Sequence, residues 1–186
     1  MIRRVHLGSV LLPLALTVLV VTGCASTGAS VKPAGLEQRP LDLAAYRSLG
    51  LQVTKAKEVT VAEADLERIA GRIVDAIRKT QPERFQEINA ASPADPEAPT
   101  VQVTVQLTRY DKGSAFARAM LAGLGQIHVD AKVILKDRAT DGTLGEFDVK
   151  KTFAWGGIYG GTTTIEDVEV GFAAGVASLL LGSKTP

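Results

Sequence analysis

The side chains that could do chemistry are few. Cys24 is the only cysteine among 186 residues, and as a thiolate it would be a nucleophile or a soft metal ligand. His128 and Asp130 stand two apart in an alternating stretch. An extended backbone turns both to one face, where imidazole and carboxylate could exchange a proton. Glu146 and Asp148 repeat that spacing, and paired carboxylates are the machinery of glycosidic hydrolysis. Two glycine-rich runs, Gly123-Leu124-Gly125 and residues 156–161, offer flexible backbone, but neither leads into the Gly-Lys-Ser/Thr of a phosphate loop.

Most of these groups lack the partners their chemistry needs. A single cysteine has no intramolecular disulfide partner. Only one histidine, His128, lies beyond the N-terminal apolar run, so a zinc site would be short of ligands, and neither metal nor cofactor is expected. No serine elbow accompanies His128. Lys132 follows His128 and Asp130 along their row, as Lys150 follows Glu146 and Asp148, so both rows also fit a solvated strand face. The expectation is a protein that is not an enzyme. The alternative kept open is a cell-wall or glycan hydrolase using Glu146 and Asp148.

Cys24 is explained by the residues before it. Arg3 and Arg4 are followed by Leu7–Val21 without a charged side chain, a positive segment and an apolar run of signal-peptide length. Val21-Thr22-Gly23-Cys24 resembles the lipobox of bacterial lipoprotein precursors. The resemblance implies a signal peptide over 1–23, cleavage before Cys24, and acylation (palmitate included) of Cys24. Ala25 comes next, not the aspartate that often retains lipoproteins in the inner membrane. The expected place is the outer membrane, anchored through lipid and facing the periplasm. Residues 24–40, rich in Ser, Thr, Gly, Ala and Pro, read as a lipidated flexible tether, and 41–186 as a single domain. Loss of Arg3 and Arg4 leaves 19 basic against 20 acidic side chains. That near-balance argues against nucleic acid as a partner.

The elements that must position these groups are legible from period. Leu49, Leu51 and Val53 alternate as a strand. Thr60-Val61-Ala62-Glu63 suggests a capping box before the helical stripe Leu66, Ile69, Ile73 and Ile77. Glu83–Ile88 is expected to add a turn of helix after Pro82, and the proline-rich stretch up to Thr100 to be a loop. Three alternating strands come next, over 101–107, 126–136 and 146–155, the last two joined by a hairpin turn containing Asp141-Gly142. Residues 156–161 read as a mobile turn. Thr164 then opens a last helix with Ile165, Val168, Phe172, Val176 and Leu179 inside. The expected fold is α+β, a two-layer sandwich with a mainly antiparallel sheet of about four strands and two packed helices.

Leu107–Leu180 resembles the domain-of-unknown-function 4410 family of bacterial lipoproteins. The resemblance rests on Gly113, Arg118, the glycines at 123 and 125, the strand after them, and the Asp137–Gly142 turn. It continues through the glycine-rich run and the terminal helix, departing at Asp141, where lysine is expected. It implies no activity. The layout resembles periplasmic domains of the curli-secretion lipoprotein and of TolB, which act in envelope assemblies, so a non-catalytic binding or assembly domain is expected.

Within this region, Ser114 can cap a short helix. Phe116, Met120, Leu121 and Leu124 then surround a single Arg118 with too few polar residues to cover a solvent face. Either the segment is core, or it is an apolar patch for a partner or a bilayer. These five residues are the candidate partner-binding site. The expected partners are the membrane through Cys24 and another envelope component, first of all a protein. A homo-oligomer, even a pore-forming one, remains an alternative.

Overall fold

The computed structural model describes residues 28–35, 41–89, 98–121, 124–154 and 157–182. Cys24, the rest of the lipobox and Trp155 lie outside these residues, as do Ala122 and Gly123.

Six strands form one sheet: β1 (Ser30–Pro33), β2 (Ser48–Lys55), β3 (Glu87–Asn89), β4 (Thr100–Asp111), β5 (Ile127–Asp137) and β6 (Thr143–Phe153), in the order β1-β6-β5-β4-β2-β3. β2 is parallel to both β3 and β4, and the remaining pairs are antiparallel. Four helices accompany them: α1 (Glu63–Thr80), α2 (Ala115–Met120), α3 (Gly157–Thr162) and α4 (Ile165–Leu180). No described helix is long and apolar enough to cross a membrane.

The α+β class stands, and the count of about four strands and two helices is corrected. β1 lies within the expected tether, where four main-chain pairings with β6 override a linker-like composition. β3 takes the place of the helical turn expected before Ile88, because Ile88 pairs with Leu49 and packs on the core. Where a turn is expected at 156–161, α3 covers Gly157–Thr162.

The sheet alternation is as the sequence indicates. Val101, Val103, Val105 and Leu107 of β4, and Ile127, Val129, Ala131, Val133 and Leu135 of β5, are buried. α1 and α4 supply the second layer through Leu66, Ile69, Ile73 and Ile77, and through Ile165, Val168, Phe172 and Val176. α1 begins after Ala62, with no side-chain cap, so the Thr60 box is not formed. At α4 the box does form: Thr164 N–H donates to Asp167 Oδ2 at 2.9 Å.

Gly171 and Gly175 admit α4 closely onto the sheet. A Cβ at 171 would meet the Lys151 side chain, and one at 175 would meet Ala29, beside Val149. Ala29 is 4% exposed and introduces β1. Gly175→Val is therefore expected to push β1 off β6, at a cost of about 1–3 kcal/mol. Fast amide exchange at residues 31–33, with β4 and β5 still protected, is the expected readout.

Candidate functional site

β4 does not end as a regular strand. Its pairing with β5 shifts between Leu107 and Arg109. Such a bulge reverses the in–out parity of the residues beyond it. Arg109 and Asp111 therefore come to the open face, and Tyr110 turns inward to pair with Val129. From Asp111 the chain enters a small cap over the end of the sheet.

Two glycines form the neck of the cap. Gly113 (φ 60°) donates its N–H to Asp111 Oδ1 at 2.9 Å, and Gly125 (φ 69°) accepts from Ser114 N–H at 3.2 Å. Both occupy the left-handed region that favours glycine. A Cβ on Gly113 would strike the carbonyl oxygens of Gly125 and Gln126; one on Gly125 would strike Ser114 and Ala117. Between them Ser114 Oγ caps α2, accepting from Ala117 N–H at 3.3 Å.

Arg118 fixes this helix in place. It is 3% exposed, and its guanidinium donates to four main-chain carbonyls. These are Gly160 at 2.7 Å, Thr163 at 2.9 Å, Gly125 at 2.7 Å and Lys112 at 3.3 Å. The fork geometry of a guanidinium suits such divided donation, which ties α2 to the neck on one side and to α3 on the other. The apolar neighbours point away: Phe116 is 73% exposed, Met120 67%, Leu124 58% and Leu121 51%. The five residues singled out in the sequence are thus brought together with divided roles. Arg118 is the internal fastening, and the other four are the displayed surface.

The carboxylate pairs look different. His128 and Asp130 share the open sheet face, but His128 Nδ1 lies 3.0 Å from Thr152 Oγ1. Burial and then Arg109 hold the imidazole below its usual range. Asp130 Oδ1 is buried without a hydrogen-bond partner. Burial raises that carboxyl above its ordinary 3.8, against the opposing charges of His128, Lys150 and Arg109. With a folded-state pKa above the unfolded one, ionisation of Asp130 costs stability as pH rises through the folded value, and nothing below 3.8. Asp130→Asn is expected to raise the thermal midpoint at neutral pH, with the gain shrinking as melts are repeated toward pH 3.8.

Glu146 lies 3.7 Å from Lys132 Nζ, both partly exposed, and Asp148 is set between Lys132 and Lys32 in the strand register. A groove of about 370 Å³ between α1 and β3, lined by Leu51, Ala70, Gly71, Val74 and Ile88, includes neither carboxylate.

Sequence reasoning missed a buried ionic cluster behind the sheet. Glu169 of α4 is fully buried and receives Arg68 Nε at 2.9 Å, Arg68 Nη2 at 2.8 Å and Tyr110 Oη–H at 2.8 Å. Arg72 stands 3.5 Å from Glu169 and also donates to the Glu166 carbonyl. Asp65 adds a 2.7 Å contact to Arg68. The Glu169 hydrogen bond raises Arg68 well above its ordinary pKa; burial, then Glu169, does so for Tyr110. The available signal was position: Glu169 falls one residue after Val168 and three before Phe172, inside the apolar stripe.

This architecture defines the class: an α+β domain with a helix-backed sheet and an apolar cap. The chain belongs to the family described as domain of unknown function (DUF4410), whose model matches residues 19–157. No curated protein matches. Among solved structures, the PelC dodecamer from Paraburkholderia phytofirmans (space group P6) is similar, with 12% identity and a TM-score of 0.54, covering 84% of this chain and 99% of that one. A point variant of the same dodecamer, in space group C2, gives 13% identity and a TM-score of 0.53, covering 82% and 96%. A candidate lipoprotein from Caulobacter crescentus CB15 has 13% identity and a TM-score of 0.36, covering 69% and 83%. What this chain shares with the two PelC structures, at these identities, is the fold.

Proposed function

We propose that the chain is a lipoprotein of the bacterial cell envelope, anchored through Cys24 to the outer membrane. Its α+β domain faces the periplasm and works by binding another envelope component, without catalysis. The observation that carries this reading is the cap: four large apolar side chains are exposed, two on α2 and two just after it, and Arg118 fastens that helix from within. An apolar cluster held rigidly at the surface suits a surface meant to be covered. The anchor is supported by the family match, which begins at residue 19 and so takes in Val21–Cys24.

A second reading, self-assembly through the same cap, is favoured by the dodecameric state of the PelC structures that share the fold. The hydrolase alternative is the least supported, since Glu146 is engaged with Lys132.

The test uses the full-length lipoprotein in its own host. Met120→Asp, at an exposed position, is expected to leave expression and stability within about 0.5 kcal/mol of the parent, yet to lose function as fully as deleting the gene. Glu146→Ala and Asp148→Ala are expected to retain function. The reverse pattern would install the carboxylates as a catalytic pair and remove the cap from consideration.

A further inference from the structure

We propose that what covers the α2 cap is the lipid bilayer itself, so that the domain meets its membrane at two points, the acylated Cys24 and the apolar cap. This rests on the anchor of the reading above and names the bilayer as the envelope component that the cap binds.

Chain direction points to the bilayer. β1 is antiparallel to β6, with Pro33 opposite Phe147 and Ser30 opposite Lys150. Traced back from Ser30, the chain therefore heads along β6 toward Phe153. Phe153 pairs with Ile127, the first residue of β5, directly after the cap. The N-terminal chain thus leaves the sheet at the end where α2 and α3 sit. Its exit is fixed, because Ala29 is held beneath α4 at Gly175.

The remaining length is short. Five residue steps separate Ala29 from Cys24, a reach of at most about 18 Å. An acyl group on Cys24 is thereby confined near the capped end of the sheet, and the domain cannot stand clear of the surface as a tether extending to residue 40 would allow.

The chemistry of that end fits lipid. Between Lys112 and His128 there is no carboxylate; Lys112 at the rim has 63% of its side chain exposed and lies 3.8 Å from Asp65, and Asp111 is turned to the neck at Gly113. Phe116, Met120, Leu121 and Leu124 are unbranched, γ-branched or aromatic side chains of the kind that enter the headgroup–acyl boundary. The acyl groups on Cys24 supply the durable hold, and apolar side chains that enter the boundary add to it in proportion to the area they bury.

The experiment is spin-label accessibility on the full-length lipoprotein in native membrane vesicles. Leu121→Cys and Met120→Cys carry the label at the cap; Glu83→Cys, exposed and distant in the chain, is the water reference. Acylation consumes Cys24, so one label per chain is expected; two labels, with an unmodified Cys24 by mass spectrometry, would defeat the anchor reading separately. At the cap, relaxation is expected to shift toward oxygen and away from a water-soluble nickel chelate, opposite to position 83. A cap label as open to nickel as position 83 overturns the proposal. So does a label shielded from both reagents, with dipolar broadening between copies or a crosslinked protein, which would assign the cap to a protein interface.

Discussion

Glu169→Leu is expected to destabilise the domain by about 3–5 kcal/mol, the usual cost of removing one partner from a buried ion pair. For a domain of this size that lowers the thermal midpoint by on the order of 10 °C. The cause is the set of groups left without a partner. Arg68 loses both of its bonds to Glu169, and Tyr110 Oη loses its acceptor. Arg72 keeps only the Glu166 carbonyl among these contacts. Those groups sit between α1 and α4, where Asp65 is the carboxylate still in contact with Arg68. Glu169→Gln, which keeps the shape and one acceptor, should cost less. Arg68→Met should also cost less, because Arg68 is 31% exposed and Arg72 remains beside the carboxylate. Thermal melts of the three variants check the order; a Glu169→Leu midpoint within a degree or two of the parent would mean the cluster contributes nothing to the helix pairing.

Arg118→Met is expected to have the largest local effect. Hydrogen bonds to a charged group contribute about 1.5–3 kcal/mol each without being additive, and Arg118 makes four to main-chain carbonyls. Methionine fills part of the volume but satisfies none of those oxygens. Amides that Arg118 holds indirectly, such as Leu121 N–H on Ala117, should lose exchange protection by several orders of magnitude. The amides of β4 and β5 toward the Val101–Asp137 end should change little, since they pair with one another at the end of the sheet away from the cap. Uniform loss of protection across the sheet would instead make Arg118 part of the global core.

Much of the sheet was legible because its alternation has one cause: a face buried under α1 and α4 and an open face opposite. Val101–Leu107 and Ile127–Leu135 state that pattern without exceptions on the buried side. The edges were not legible. Ser30–Pro33 and Glu87–Asn89 owe their extended form to a neighbouring strand, and no period of their own announces it. The bulge after Leu107 was equally hidden, because it is a register event between two strands, and with it went the inward turn of Tyr110 toward Glu169. At the cap the sequence singled out five residues without resolving core from surface. Arg118 resolves it, being the one side chain of the set that the fold takes inside. Lys151 is a further surprise, buried against Gly171 of α4 in a strand whose alternation otherwise holds.

That the cap is the working surface of an anchored, non-catalytic domain is most directly tested by photo-crosslinking in the native host. The reactive group is placed at position 116 of the full-length lipoprotein and, as a reference, at Gln102 on the open sheet face. Strong intermolecular adducts from 116, to lipid or to another envelope component, are expected, and they should disappear with Met120→Asp while the Gln102 pattern is unchanged. Adducts from Gln102 with none from 116, in folded and membrane-bound protein, would contradict this role and move the functional surface to the strand face around His128 and Glu146.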